Sequence, residues 1–361
     1  AGMGSSSSAL CELMSDAPLA LSVLDLVPVR TGQTSAQAIT ASLTTADAAD
    51  RLGYRRYWFA EHHNMPAVAS TTPPVLVAAA AARTSRIRLG SGGVMLPNHS
   101  PLVVAEQFAA LEAIAPGRID LGIGRAPGSD PVITQLLRQS GTTSDVDRFP
   151  DNIRDILALS SPEGASLRFT SGQEYAVRAT PAAMTPPAVW LLGSSDYSAQ
   201  LAASMGLPYV FANHFSGDGL ERALGLYRSQ FRPATDGDTP RTFLTANVVV
   251  GDTDAEAHAL ALPQLRMMAR LRGGRPLTAL ETVEQAHSAE ASDGLATPLA
   301  SWAAERWFIG TPDAVTERLW EFAERWQVDE VMISPVAAAR DSDPMDAAPA
   351  RLRTLELLAA A

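Results

Sequence analysis

The chain has 361 residues, of which 46% are hydrophobic and 19% charged, the composition of a globular protein with a large core. Its net charge of -11 argues against nucleic acid and against anionic membrane surfaces as partners, and no apolar run approaches the roughly 18 residues that a membrane span needs. A single cysteine, Cys11, excludes an intrachain disulfide and fits a reducing cytoplasm, and all 28 basic side chains are arginine, so lysine Schiff-base chemistry, pyridoxal phosphate and a P-loop are excluded.

Residues 1–18 are small and polar, with the run Ser5-Ser6-Ser7-Ser8, and lack the basic and apolar blocks of a secretory signal. They read as a disordered extension, possibly tag-derived, with Met14-Ser15-Asp16 as a native start; residues 19–361 read as a single domain. Leu19 to Val27 is a short apolar strand closed by Pro28. Ala38, Ile39, Leu43, Ala46 and Ala49 recur at helical spacing between Thr34 and Gly53. Arg56 to Ala60 is the second strand, and Thr71-Thr72-Pro73 starts the next helix. Arg86 to Gly93 is a third strand, Ser100-Pro101 opens a helix, and Arg118 to Gly122 is a fourth strand.

The alternation resumes with strands at Ala188 to Leu192, Pro208 to Ala212, Phe243 to Val250 and Glu330 to Ile333. Helices are expected at Asp196 to Met205, Gly219 to Phe231, Asp254 to Leu271, Thr311 to Trp326 and at the C-terminus. About eight strands interleaved with helices is the pattern of an α/β fold of the (β/α)8 TIM-barrel kind, with insertions in the βα loops over the mouth. Gly128 to Gln173, with one helix at Asn152 to Leu159, and Gly273 to Ser301 do not fit the repeat and read as loops over that mouth. Trp302 and Trp307 read as packing aromatics.

Tyr57-Trp58-Phe59-Ala60-Glu61-His62-His63-Asn64 is the candidate centre. An aromatic strand ends abruptly in a carboxylic acid, two imidazoles and an amide, and strand carboxyl ends carry the catalytic groups of parallel α/β folds. An isolated histidine pair is more often an ordinary core or surface pair; the surrounding pattern reverses that preference. His99 and His214 are further polar groups at strand ends. Neither H-x-x-x-H nor cysteine spacing supports a metal, and none is expected.

Gly122-Ile123-Gly124-Arg125-Ala126-Pro127-Gly128 follows a strand, but its third glycine comes one position late for G-x-G-x-x-G and Pro127 breaks the receiving helix, so a Rossmann site is rejected. Its glycines, and those of Gly90-Ser91-Gly92-Gly93, would let a flat ligand approach the backbone. Gly193-Ser194-Ser195-Asp196-Tyr197-Ser198 joins a strand to a helix start, which offers free N–H groups and hydroxyls to a phosphate. Read alone, it is equally an ordinary N-cap. Arg125 and Arg148 could supply positive charge there.

Together, Trp58 to His63, Leu89 to Pro97, Gly117 to Arg125 and Gly193-Ser194-Ser195 resemble, in order and spacing, the luciferase-like flavin-dependent monooxygenases. The likeness runs from Leu19 to His214 and resumes at Gly310-Thr311-Pro312 and the last strand. The resemblance implies a TIM barrel, often a homodimer, that binds FMN at the strand carboxyl ends and oxygenates a small organic substrate with dioxygen through a C4a-peroxyflavin. His62 matches the family's catalytic histidine, with Glu61 and His63 beside it. Gly92-Gly93 matches a non-prolyl cis peptide against the flavin ring, next to Met95, Gly122 and Gly124. Arg125, Arg148, Ser194, Ser195, Tyr197 and Ser198 match the phosphate contacts. Gly124 replaces the reactive cysteine, and Gly193 the glutamate, of the family's bacterial luciferase, which puts light emission in doubt. A separate flavin reductase and a role in bacterial secondary metabolism such as antibiotic biosynthesis are implied. An F420-dependent dehydrogenase on the same barrel and a non-catalytic flavin-binding protein are the alternatives; intact Glu61, His62 and His63 speak against the second.

Overall fold

The first helix, Ser35–Leu52, is set by its ends. Thr34 and Gln37 form a capping box, and Gly53 takes the left-handed conformation at φ 86° that lets its N–H return to Ala49 and Asp50. The chain is described here by a computed structural model that covers residues 19–138, 146–215 and 217–361. The expected N-terminal extension, residues 1–18, lies outside the described residues.

The strands are β1 (Ala20–Asp25), β2 (Arg56–Phe59), β3 (Arg88–Met95), β4 (Ile119–Gly124), β5 (Ala165–Arg168), β6 (Glu174–Val177), β7 (Ala188–Gly193), β8 (Tyr209–Phe211), β9 (Thr242–Val250), β10 (Phe308–Gly310) and β11 (Glu330–Pro335). The main sheet runs β10-β9-β11-β1-β2-β3-β4-β7-β8, and a further β8–β9 pairing closes eight of its nine strands into a barrel. Every pairing around the barrel is parallel. Parallel strands need crossover helices, and those helices cover the outside, so the strands are buried on both faces and read as near-continuous apolar runs. The expected TIM barrel is the fold observed.

The bottom of the barrel is closed by charge. Arg56 at the start of β2 bridges Glu330 and Asp120 at 2.8 and 2.9 Å, Arg88 holds the other Asp120 oxygen at 2.6 Å, and Ser22 donates to Glu330 at 2.6 Å. These residues stand at or near the first positions of β1, β2, β3, β4 and β11, remote from the carboxyl ends. The charges there serve the fold, and the opposite rim is left for chemistry.

The two irregular segments contain more structure than their sequence announces. The first holds helices Pro131–Arg138 and Phe149–Ser160 and the antiparallel hairpin β5–β6. The second holds helices Val283–Asp293 and Ala300–Arg306, followed by β10, which adds to β9 outside the ring of eight. Val283–Asp293 is opened by a Thr282/Gln285 capping box, a signal legible in the sequence but hidden by the small and charged residues around it. Fully buried Arg266, on helix Asp254–Arg272, pins this segment through Glu281, Glu290 and Asp293 at 2.5–2.7 Å. Trp307 is buried and meets Trp302 edge-on at 6.5 Å, in keeping with a packing role for both. Among the described residues no helix is long and apolar enough to cross a membrane.

Candidate active site

β2 runs from the charged base through Tyr57, Trp58 and Phe59, none of which has any exposed surface. Burying each contributes about 1.5–3 kcal/mol, which fixes the strand and therefore the place where it ends. Ala60 donates its N–H to Asp25, and His62 to the carbonyl of Ser70, so the backbone on both sides of Glu61 is tied down.

Glu61 is fully buried and its carboxylate is satisfied on both oxygens. Oε1 accepts His63 Nε2 and His99 Nε2, each at 2.8 Å, and Oε2 accepts the backbone N–H of Met95 at 2.9 Å. Burial opposes its ionisation, but the hydrogen bonds from His63 and His99 outweigh burial and hold its pKa below the ordinary carboxylate value. Glu61 therefore acts as an anion that orients two imidazoles, and His99 joins the set through it. Ser129 Oγ donates to the His63 carbonyl at 3.1 Å and Asn98 Nδ2 to the Pro127 carbonyl at 2.9 Å, which locks the loop after β4 over these histidines.

His62 stands free of this carboxylate. It lines a cavity of about 450 Å³ in the barrel mouth, with its ring edge-on to Phe215 at 6.3 Å. Burial lowers its pKa below the ordinary histidine value, against the pull of the Gly128 backbone and the Glu61 charge. A neutral imidazole facing a cavity can accept or return a proton near neutral pH. His63 and His214 line the same cavity.

Two lining residues were not legible as site residues. Asp25 at the end of β1 and Arg351 from the terminal helix form a buried ion pair at 2.6 Å. Tyr57 Oη donates to the other Asp25 oxygen at 2.5 Å, its pKa raised by burial and by the Asp25 charge. Val27, two residues on, has φ 52° and donates its N–H to Asp25 at 2.7 Å. A β-branched residue is rarely held in that conformation, and here it swings the chain off β1 and over the mouth. The partner of Asp25 lies 326 residues away, so no local pattern could reveal the pair.

None of the expected cofactor residues lines this cavity. Apart from Arg148, they lie along the neighbouring arc, on β3, on and just after β4, and in the turn and helix start after β7. The Gly92–Gly93 peptide is cis. A Cβ on Gly93 would come to 2.8 Å from the Gly122 carbonyl oxygen, which is backbone, whereas one on Gly92 or Gly124 would come nearest to side-chain ends, Leu24 Cδ1 at 2.6 Å and Met95 Sδ at 2.9 Å. A Cβ on Gly122 would collide with the Ser91 carbonyl. Close strand contact by itself calls for glycine at Gly93 and Gly122, in addition to the approach of a ligand ring expected of them.

After β7, Ser195 caps helix Asp196–Met205 in a capping box with Ser198. Ser198 is buried, and its hydroxyl is bonded to the Ser195 carbonyl at 2.8 Å and to Tyr209 Oη at 3.2 Å. Ser198 is therefore committed to the fold. Arg125, exposed after β4, lies over the Tyr197 ring at 4.3 Å, which brings it to this helix start beside Ser194 and Ser195. Arg148 is exposed at the start of helix Phe149–Ser160, and no hydrogen bond, ion pair or ring contact joins it to that turn. Among the described residues no group of three or more histidine, cysteine, aspartate and glutamate side chains is set to hold a metal ion.

The sequence profile of the luciferase-like monooxygenases matches residues 20–330, most of the barrel. The chain belongs to this family. It is 42% identical over 261 residues to a luciferase-like monooxygenase of Escherichia coli K12, covering 72% of this chain and 75% of that one. It is 32% identical to the N-acetyl-S-alkylcysteine monooxygenase of Bacillus subtilis 168, over 88% of this chain and 93% of that one. Among solved structures, apo-MsnO8 superposes with a TM-score of 0.81 at 35% identity, covering 95% of this chain and 97% of that one. The protein is thus a luciferase-like monooxygenase, and its histidine-lined cavity lies at the rim where a TIM barrel places its chemistry.

Proposed function

We propose that this luciferase-like enzyme binds reduced FMN and, with dioxygen, oxygenates a small organic substrate in the cavity beside His62. The observation that carries the reading is the pairing of two features on one rim: a histidine-lined cavity and, one arc away, Arg125 lying on Tyr197 at the start of a helix. The free N–H groups of Asp196 and Tyr197, the hydroxyl of Ser194 and the Arg125 guanidinium are a donor set suited to the phosphate of FMN. Among the described residues no carboxylate pairs with Arg125. Reduced FMN supplies the electrons for oxygen activation when bound. The protein's part is to exclude water with the loop from Ala126 to Asp130, to hold the Glu61–His63–His99 group rigid and to move a proton at His62.

Dioxygen, a transiently bound flavin reductase and a second copy of this chain are the partners in this reading, with the enzyme acting in the cytoplasm on a secondary metabolite. Helices Pro73–Ala81 and Pro101–Ile114 expose Val75, Val103 and Ile114, an apolar surface suited to a homodimer. The alternative, an F420-dependent dehydrogenase, would use the same rim for a deazaflavin, because fold does not decide between them. Replacing His62 with alanine tests the reading. Turnover is expected to fall by about a hundredfold to ten-thousandfold while flavin affinity survives; normal turnover in a folded His62→Ala protein would remove the histidine from the chemistry.

A further inference from the structure

His214 is held at three points by β9. Its Nδ1 meets Thr245 Oγ1 at 2.6 Å, the same hydroxyl accepts its backbone N–H at 3.2 Å, and Asn247 Nδ2 donates to its carbonyl at 2.9 Å. The ring lines the cavity, and among the described residues Nε2 makes no hydrogen bond. Burial, and after it the repulsion it would meet from a protonated His62, bring its pKa down to about 3, so the ring is neutral near neutral pH. A fixed, neutral imidazole is a hydrogen-bonding point for a ligand atom, and fixing it beforehand lowers the cost of binding.

The rest of the lining says what that ligand is. Met267, Met268 and Leu271 from helix Asp254–Arg272 form one wall, with Leu277 and Met65 beside them. Methionine walls adapt to apolar groups of varied outline. The formal charges on the lining, histidines apart, are Asp25, Arg351 and Asp130. Asp25 and Arg351 neutralise each other. Asp130 accepts the N–H groups of Val132 and Ile133 at the start of helix Pro131–Arg138. Arg272 bonds the Phe215 carbonyl and lies on Trp302 at 3.8 Å, outside the lining. A carboxylate entering this cavity would give up water and, among the described residues, meet no unpaired cation, while the one unpaired anion, Asp130, stands exposed at the rim, where water screens its pull on an ammonium.

We propose that the cavity takes an uncharged, mostly apolar substrate and that His214 Nε2 holds its polar atom. This rests on the reading of the cavity as the monooxygenase's substrate site. Octan-2-one, octanoate and octylamine share a chain and differ in charge, which makes them suitable probes. Calorimetric titration of the full chain is expected to show octan-2-one binding about tenfold or more tighter than either charged probe. His214→Ala should weaken the ketone about fivefold, the worth of one neutral hydrogen bond. Leu277→Trp, at the partly exposed rim, should block the ketone by filling space. Thermal melts confirm that the variants fold, and His214→Asn, which keeps a partner for Thr245, serves if the alanine variant does not. FMN affinity, measured on the same samples by flavin fluorescence, reports the flavin reading separately: lost FMN binding with retained ketone binding defeats that reading and leaves this one standing. No binding of octan-2-one, equal or tighter binding of octanoate, or an unchanged ketone affinity in the His214 variants overturns the proposal. Octanoate binding that disappears in Arg272→Ala would reassign the cavity to anions.

Discussion

The Glu61 carboxylate and the Met95 backbone are joined across two strand ends: Oε2 accepts the Met95 N–H at 2.9 Å. Because Oε1 accepts both His63 and His99, a single buried anion holds β2, β3 and two imidazoles in one arrangement. Glutamine cannot reproduce it, since its amide has one acceptor oxygen and one NH2 group. With the oxygen toward the histidines, the NH2 opposes the Met95 N–H. Glu61→Gln is therefore expected to cost about 1–3 kcal/mol of unfolding free energy, measured by urea denaturation. A variant as stable as the parent would show that the carboxylate does not organise the rim.

The Ser194–Ser198 turn separates the two arginines proposed for the flavin phosphate. Arg125 reaches it through Tyr197, whereas among the described residues no hydrogen bond, ion pair or ring contact joins Arg148 to it. Arg125→Ala should weaken FMN by roughly 1.5–3 kcal/mol, the worth of a hydrogen bond to a charged group, and Arg148→Ala should leave it nearly unchanged. Equal losses in a fluorescence titration would return Arg148 to the phosphate site.

The buried neutral state of His214 makes stability depend on pH in a defined window. Its pKa falls from 6.5 to about 3 on folding. Between those values the unfolded chain binds a proton that the fold refuses. The stability is fully present above 6.5 and is lost as pH drops, by at most about 1.4 kcal/mol per unit, until the folded value is reached. The urea midpoint of the parent should thus fall more steeply with acid than that of His214→Asn. Parallel profiles would show that His214 takes up its proton freely in the folded protein.

How far the sequence could be read follows from where each signal resides. The barrel was legible because strand and helix periodicities repeat locally, and caps such as Thr34/Gln37 and Ser195/Ser198 stand within four residues of each other. Glu61, His62 and His63 were legible because an aromatic strand stops beside them. The structure adds hydrogen-bond partners that the sequence does not announce. Glu61 is anchored to the Met95 N–H, and Ser198, the partner of the Ser195 cap, is bonded to Tyr209. The pair Asp25–Arg351 and the Arg266 cluster join distant stretches, and β10 is three residues long. Neither long-range charge pairing nor so short a strand leaves a periodic trace.

The central claim is that this luciferase-like enzyme uses reduced flavin to put oxygen into an organic molecule. Supplying chemically reduced FMN, labelled dioxygen and neutral apolar substrates, then weighing the products by mass spectrometry, addresses it directly. The account predicts one labelled oxygen atom in the product and no product without dioxygen. Product formed anaerobically with reduced F420, and unlabelled in air, would contradict it and assign the barrel to hydride transfer.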